Sequence, residues 1–241
     1  QDSTPLIMLI GQVARDQFDR EAFQEIDYRR MLGQVTKWTA QIESADRIPE
    51  YLARAFQTAM SGRPGPVALA LPEDMLREFT SAPDAAPYRY SRAAPAPAGM
   101  AELRTMLGAA KKPLVVVGGG GWTPEAAADI AAFARANDLP VSCSFRRLDI
   151  MDYAGPNFVG DLSTAPAPKL LQRVKESDLL LVIGARLGEI TTQGYAMMES
   201  PKPSKQFIHV HALAEELGRV YQPNLAIQSG MAEFAAAAKA M

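Results

Sequence analysis

The feature that most constrains the fold of this chain is the alternation of short apolar runs with helix-like segments from residue 99 onward. Runs of strand length lie at 114–117, 141–145, 178–183, 206–211 and 225–228, and helical patterns lie at 100–110, 124–138, 169–176 and 231–241. Strands that alternate with helices are joined by right-handed crossovers into a parallel sheet. Residues 99–241 are therefore predicted to form a doubly wound, Rossmann-like α/β domain.

The first 79 residues predict part of a second α/β domain. The unbroken apolar run at 6–10 has strand length, and the lack of polar alternation is typical of a strand buried on both faces. The sequence further predicts a short helical stretch around 20–25, a helix over 49–60 and a buried strand over 67–71. Four prolines among alanine, serine and arginine indicate an extended linker over 80–98.

Charge and cysteine content exclude several classes of function. The chain has 25 basic and 27 acidic residues and a net charge of -2, so no general attraction to nucleic acid is expected. Its apolar runs are far shorter than the ~18 residues of a membrane helix, so no membrane partner is expected. The single cysteine, Cys143, is typical of a reducing compartment, and a cytoplasmic location is predicted. Because the chain starts at Gln1, we expect it to be processed or cut from something longer.

Glycines follow three of the predicted strands, at the edge where parallel sheets bind ligands. They are Gly11, the run Gly118 to Gly121, and Gly184. Glycine lets a backbone approach a ligand closely, and free N–H groups in such a loop hold anions. A turn that requires glycine for steric reasons alone explains the same residues. Both interpretations stay open.

Three polar side chains near these strand ends have a functional and a plain interpretation. Arg186 is either a phosphate or carboxylate ligand or a solvated arginine. His209 and His211 lie on one face of a predicted strand, but no third ligand is evident, so no metal site is predicted. Residue chemistry alone therefore indicates at most a nucleotide-like ligand.

Short motifs along the chain resemble thiamine-diphosphate-dependent enzymes of the acetolactate synthase type. In the family's order they are GQV at 11–13, REAFQEID at 20–27, TKW at 36–38, SGRPGPV at 61–67 and LPEDM at 71–75. The more generic motifs KPLVVVGGG at 112–120, LPV at 139–141 and SDLLLVIGAR at 177–186 resemble the central domain of the same family. The resemblance implies that residues 1–79 are the C-terminal part of a pyrimidine-binding domain and that 99–241 are the central domain.

The resemblance also implies an activity. The chain would be a fragment of a carboligase or decarboxylase that acts on small 2-keto acids and forms a homodimer or homotetramer when full length. The family's activating glutamate would precede Gln1, and its magnesium and diphosphate motif lies in a third domain. Thiamine diphosphate and Mg²⁺ would therefore have their main anchors outside this chain, which by itself is expected to be inactive.

Site residues follow from the resemblance position by position. Gln12 would lie beside the reaction centre, where its amide can bond a substrate carbonyl or carboxylate; the alternative is a strand-end amide that bonds its own loop. Phe23, Gln24 and Lys37 match positions that border the substrate channel of the neighbouring subunit. A solvated lysine explains Lys37 equally well.

Four glycines and one arginine of the central domain match positions that hold FAD in some family members. These positions are Gly118, Gly119, Gly120, Gly184 and Arg186. Two departures argue against FAD. Flavin members have Met-His-Gly in the segment where this chain has Gly-Asp-Leu-Ser-Thr at 160–164, and His211 replaces an acid that reaches a ribose. The rival functions are a non-catalytic nucleotide-binding module built on 99–241 and a nicotinamide oxidoreductase, which Thr123 disfavours because it replaces the third glycine of the dinucleotide motif. Neither rival explains the motifs before residue 79.

Overall fold

Two parallel β-sheets, each with its own helices, make up this computed structural model, which describes residues 3–241. The chain divides into two compact units, Gln1–Ser91 and Arg92–Met241. The division falls inside the segment that the sequence predicts as a linker. Among the residues described, no helix combines the length and the apolar character that crossing a bilayer would require.

The first unit is a three-stranded sheet in the order β1-β3-β2. Its elements are the strands Leu6–Gln12 (β1), Trp38–Gln41 (β2) and Pro66–Pro72 (β3) and the helices Tyr28–Leu32 (α1) and Ile48–Met60 (α2). The α2 helix forms where predicted: Pro49 pre-sets the backbone in its first turn, and Ala55 and Ala59 are buried in one core with Leu69 of β3.

Two predictions for this unit are wrong. The β1 strand is not buried on both faces, because it is an edge strand on which Leu6, Met8 and Leu9 are 50%, 36% and 57% exposed. The helical stretch around 20–25 is absent. The short helix forms at α1 instead, where the Asp27 carboxylate caps it by accepting from the N–H groups of Arg29 and Arg30. Strand β2, which has only four residues, was not predicted from the sequence.

The second unit is a six-stranded parallel sheet in the order β6-β5-β4-β7-β8-β9. Its strands are Pro113–Val117 (β4), Val141–Ser144 (β5), Phe158–Leu162 (β6), Leu179–Ile183 (β7), Gln206–His211 (β8) and Leu225–Gln228 (β9). Its helices are Pro97–Ala109 (α3), Pro124–Ala136 (α4), Pro168–Glu176 (α5) and Met231–Lys239 (α6). Strand β6 lies in a stretch for which the sequence predicts neither a strand nor a helix, and α3 begins inside the predicted linker.

Two cores cover the two faces of this sheet. Val115 and Leu181 pack on one face with residues of α3, α4 and α6, whereas Val116 and Leu180 pack on the other with residues of α5. Alternate residues of a strand point to opposite faces, so helices on both faces bury an uninterrupted apolar run. This arrangement confirms the predicted doubly wound α/β fold. The Thr123 hydroxyl caps α4, accepting from Ala126 N at 3.1 Å.

Candidate functional site

The carboxyl ends of β4 and β7 form the switch point of the six-stranded sheet. From β4 the chain adds β5 and β6 on one side, and β7, β8 and β9 are then added on the other side of β4. Loops that leave two neighbouring strands toward opposite faces open a crevice, and open α/β sheets bind ligands there. The structure thus brings together at one point the two glycine loops that the sequence singled out.

Close contacts between these two loops, and between Gly118 and the end of β5, require three of the glycines. Gly119 has a φ of +68°, and a Cβ atom on it would lie 1.9 Å from the Gly184 oxygen. Gly184 has a φ of +75°, and a Cβ there would lie 2.5 Å from the Gly118 oxygen. A Cβ on Gly118 would lie 1.9 Å from Ser144 Oγ. The steric interpretation therefore explains Gly118, Gly119 and Gly184 without a ligand.

Two further contacts close the same crevice. The Gly118 N–H donates to the Ile183 oxygen at 3.0 Å, and the Trp122 indole donates to the Gly118 oxygen at 2.7 Å. Gly120, in the same loop, is partly exposed. The backbone N–H and oxygen of Gly118 are thus both hydrogen-bonded to other groups of the protein.

Arg186 faces a buried carboxylate rather than solvent alone. Its Nε lies 3.5 Å from Glu216 Oε2, and the Glu216 side chain is only 7% exposed. Neither atom makes a hydrogen bond, so the contact is an ion pair. Arg219 Nη1 approaches the same oxygen at 3.7 Å from a more exposed position. An anionic ligand of Arg186 would therefore compete with Glu216.

The two histidines of β8 are both bonded to backbone atoms nearby. His209 Nε2 lies 3.0 Å from the Ala185 oxygen, and burial lowers the pKa of His209 to about 4. His211 Nδ1 accepts from Leu213 N at 3.0 Å. Over residues 3–241 no cluster of three histidine, cysteine or acidic side chains is arranged to hold a metal ion.

The space beside these groups is small. His209, Glu216, Arg219 and Tyr221 line a cavity of about 10 Å³, which has room for one water at most. None of the glycines of the two loops lines this cavity, and the binding of FAD by Gly118, Gly119, Gly120, Gly184 and Arg186 stays a prediction.

In the first unit, Gln12 ends β1 at the carboxyl edge of the sheet, where it pairs with Pro72 of β3. Its Nε2 donates to the Ile26 oxygen at 2.8 Å, and its Oε1 accepts from the Val13 N–H at 2.9 Å. The side chain is 7% exposed. Both ends of the amide bond the loop that follows β1, as the alternative interpretation expected. A substrate contact by Gln12 stays a prediction.

The structure does not gather the other predicted residues around Gln12 in one cluster of contacts. Phe23 is 89% exposed, and Gln24 beside it has a left-handed φ of 68°. The Lys37 ammonium donates to the Ser61 oxygen at 2.7 Å, so Lys37 is tethered to the end of α2. Their place beside a substrate channel also stays a prediction.

A set of ionic contacts that the sequence did not predict joins the loops at the carboxyl edge of this sheet. Arg15 Nε lies 2.7 Å from Asp74 Oδ2, and Arg15 Nη2 lies 2.5 Å from Glu78 Oε1. The Ala45 N–H and the Arg15 guanidinium lower the pKa of the Glu78 carboxyl. These residues are far apart in sequence, so no local pattern could have predicted the cluster. It holds together the loops that follow β1, β2 and β3.

The described residues do not by themselves fit thiamine diphosphate with a magnesium ion. They contain no set of three metal-binding side chains. The Gln12 amide, at the edge where a ligand would bind, is already bonded at both ends. No reaction step through that cofactor can be derived from this chain alone.

Comparisons with known proteins agree with the resemblance seen in the motifs. The acetolactate synthase isozyme 1 large subunit of Escherichia coli K12 is 31% identical over 230 residues, which are 95% of this chain and 40% of that protein. The acetolactate synthase large subunit of Haemophilus influenzae is 32% identical over 216 residues, or 87% of this chain and 37% of that protein. The chain therefore spans less than half the length of these relatives.

The fold is shared with a solved structure. Benzoylformate decarboxylase from Polynucleobacter necessarius superposes with a TM-score of 0.80 at 24% identity, covering 99% of this chain and 44% of that one. The family described as thiamine pyrophosphate enzyme, central domain, matches residues 100–238. These residues are more than half of the sequence and correspond to the six-stranded sheet and its helices. The chain therefore belongs to the thiamine pyrophosphate enzyme family.

Proposed function

We propose that this chain is part of a thiamine-diphosphate-dependent carboligase or decarboxylase that acts on 2-keto acids. The observation that carries the proposal is the 31% identity to an acetolactate synthase subunit over 95% of the chain, which includes both units. A nucleotide-binding module would account for the second unit only. The six-stranded sheet taken alone therefore supports only the nucleotide-binding module.

In an enzyme of this kind, the residues of this chain would bind and orient the substrate. Thiamine diphosphate supplies, when bound, the nucleophilic and electron-sink chemistry. Gln12 lies at the sheet edge where such enzymes place ligands, and its amide N–H would turn from the Ile26 oxygen to a substrate oxygen. The contacts of Arg15 with Asp74 and Glu78 would keep the loops at that edge in place.

We further propose that the 241 residues alone do not turn over substrate. The absence of a metal-binding set among the described residues supports this. So does the exposure of Leu6, Met8 and Leu9 on the edge strand β1, since long apolar edge strands are usually covered or paired. Further polypeptide of the same protein would cover β1, and the whole protein would form a homodimer or homotetramer.

The experiment compares two purified proteins in the presence of thiamine diphosphate and Mg²⁺: the 241-residue chain, and the product of the complete reading frame that encodes it. We expect the complete protein to consume pyruvate only when thiamine diphosphate is present, and the 241-residue chain to stay at the no-enzyme background. Measuring both carbon dioxide and the coupled product separates decarboxylation from carboligation.

Two results would contradict the proposal. Pyruvate consumption by the 241-residue chain would show that it does contain a working site. A complete protein that consumes neither pyruvate nor an aromatic 2-keto acid such as benzoylformate, yet binds a nucleotide, would favour the non-catalytic module. Light scattering of the complete protein tests the proposed dimer or tetramer separately.

A further inference from the structure

A cleft of about 430 Å³ lies at the opposite edge of the six-stranded sheet from the glycine loops. The start of β4, the residues just before β5 and one face of α5 line it. Its volume is within the range of roughly 300–1,000 Å³ typical of small-molecule sites. Neither the family resemblance nor the proposed function gives this cleft a role.

Positive charge predominates on the walls of this amino-edge cleft. The basic residues are Lys111, Lys112, Lys169 and Arg173, and the acidic residues are Asp138 and Glu176. Lys112 pairs with Glu176 at 3.5 Å. Within the described part of the chain, no carboxylate oxygen lies within ion-pair distance of the Lys111 or Lys169 ammonium groups. Two of the lysines that line the cleft therefore have no carboxylate partner.

The backbone on both walls is held in place. The Asp178 carboxylate accepts from Lys111 N at 2.7 Å and from Lys112 N at 2.9 Å, which fixes the start of β4. On the opposite wall, α5 is anchored by Leu170 and Val174, both buried in the core. Lys169 and Arg173 are one helical turn apart, so they project from the same face.

The carboxyl end of α5 is neutralised by a different lysine. The Lys205 ammonium donates to the Val174 oxygen and to Ser177 Oγ, and Lys205 does not line the cleft. The cations inside the cleft are therefore not needed to balance the negative end of the helix dipole. The charges of Lys111 and Lys169, which have no carboxylate partner, remain available to a ligand.

We propose that this amino-edge cleft binds a small anion that carries a diphosphate group. Ammonium and guanidinium groups form strong charge-assisted hydrogen bonds to phosphate oxygens. Pro113 and Pro140 add apolar ring surface to the lining, against which an organic part of the ligand packs. The shared chemistry is the diphosphate, whether free or as part of a nucleotide.

The test is calorimetric titration of the 241-residue chain with inorganic pyrophosphate and, separately, with ADP at physiological salt. We expect saturable binding of one equivalent of each. Equal affinities would show that the diphosphate alone is recognised, and tighter binding of ADP would show that the prolines contact its organic part. Either result supports the proposal, and the absence of saturation by about 1 mM would overturn it.

A pair of double variants with equal loss of charge provides the control. Lys111→Gln with Lys169→Gln removes the two unpaired cations of the cleft and should weaken binding about tenfold. Lys175→Gln with Lys202→Gln removes two exposed lysines outside the cleft and should change the affinity less than about twofold. Equal weakening by both double variants would mean that only net charge attracts the ligand, and the proposal would fail.

Amide chemical shifts on the unmodified chain test the location independently of how well the variants fold. Pyrophosphate should shift the signals of Lys111, Lys112 and Arg173. Shifts confined to the loops at Gly118 and Gly184, on the other edge of the sheet, would place the ligand elsewhere and overturn the assignment.

Discussion

Arg186 and Glu216 meet inside the second unit, where Arg186 Nε lies 3.5 Å from a carboxylate oxygen that solvent hardly reaches. The arginine side chain keeps about a third of its exposure, whereas Glu216 is almost fully buried. Breaking the ion pair would therefore cost the buried Glu216 carboxylate more electrostatic stabilisation than the Arg186 guanidinium, which solvent still reaches. Removing the arginine would leave a buried negative charge with one distant, exposed partner, Arg219.

We therefore expect Arg186→Ala to lower the free energy of unfolding of the second unit by about 1–3 kcal/mol. Arg219→Ala is the matched control, because Arg219 contacts the same oxygen from a 59% exposed side chain and should cost less than about 1 kcal/mol. Urea denaturation measures both. Equal losses would show that burial does not distinguish the two arginines.

The ion pair between Arg186 and Glu216 also affects whether FAD can bind beside Arg186. Glu216 already neutralises Arg186, and the adjacent cavity has a volume of only about 10 Å³. We expect the complete protein to be colourless when purified. The measurement is the absorbance spectrum of the supernatant after denaturation, and a flavin band released in stoichiometric amount would show that the loops at Gly118 and Gly184 move apart to admit the cofactor.

Gly119→Ala should destabilise the second unit by more than about 2 kcal/mol, because alanine is strained at a φ of +68° and its Cβ would clash with the Gly184 oxygen. Gly108→Ala provides the comparison. Gly108 is inside α3, and a Cβ atom added there would have no neighbouring atom within 4 Å, so alanine should stabilise by roughly 0.5–1 kcal/mol. Thermal melting of the two variants should therefore shift in opposite directions.

Because the pKa of His209 is lowered in the folded protein, we expect the protein to lose stability in mild acid. Its pKa is about 4 in the folded protein against an ordinary value of 6.5, so between these values the unfolded chain binds a proton that the folded protein does not. The part of the free energy of unfolding that depends on His209 is fully present above pH ~6.5. It declines as the pH falls toward ~4 and then levels off, and the total loss is at most about 3 kcal/mol.

The control for this effect is His209→Gln, which keeps a donor for the Ala185 oxygen but cannot titrate. Urea midpoints near pH 7 and pH 5 should differ by less in the variant than in the parent protein, by an amount equivalent to about 2 kcal/mol. Identical pH dependence in the two proteins would mean that other groups cause the acid destabilisation.

Gln12→Ala tests the role proposed for the amide. In the complete protein we expect kcat to fall by about 10²–10³-fold, as when one donor to a developing negative charge is lost. The lost bonds to Ile26 and Val13 should cost about 1 kcal/mol of stability. Gln41→Ala serves as control, because Gln41 touches Gln12 only at 3.5 Å. A lower melting temperature with near-normal kcat would leave Gln12 a loop tether only.

Local sequence determined the elements whose signal is contained within one short segment. The short apolar runs at β4 and β7 predicted strands, and such runs are typical of strands covered on both faces, which need no polar alternation. Thr123 followed by Pro124 marked the start of α4, since capping depends only on neighbouring residues. The alternation of these elements was sufficient for the α/β class, and the motifs before residue 79 were sufficient for the family.

Only the tertiary structure decided what depends on residues far apart in sequence. The apolar run at β1 resembles that of a central strand, yet its place at the sheet edge exposes Leu6 and Leu9. The residues of a strand do not determine how many neighbouring strands it has, so the sequence could not predict this exposure. Glycines that suit a ligand also suit a tight contact between two loops. The structure shows Gly119 packed against Gly184 and Arg186 paired with Glu216, while ligand binding by these residues stays a prediction.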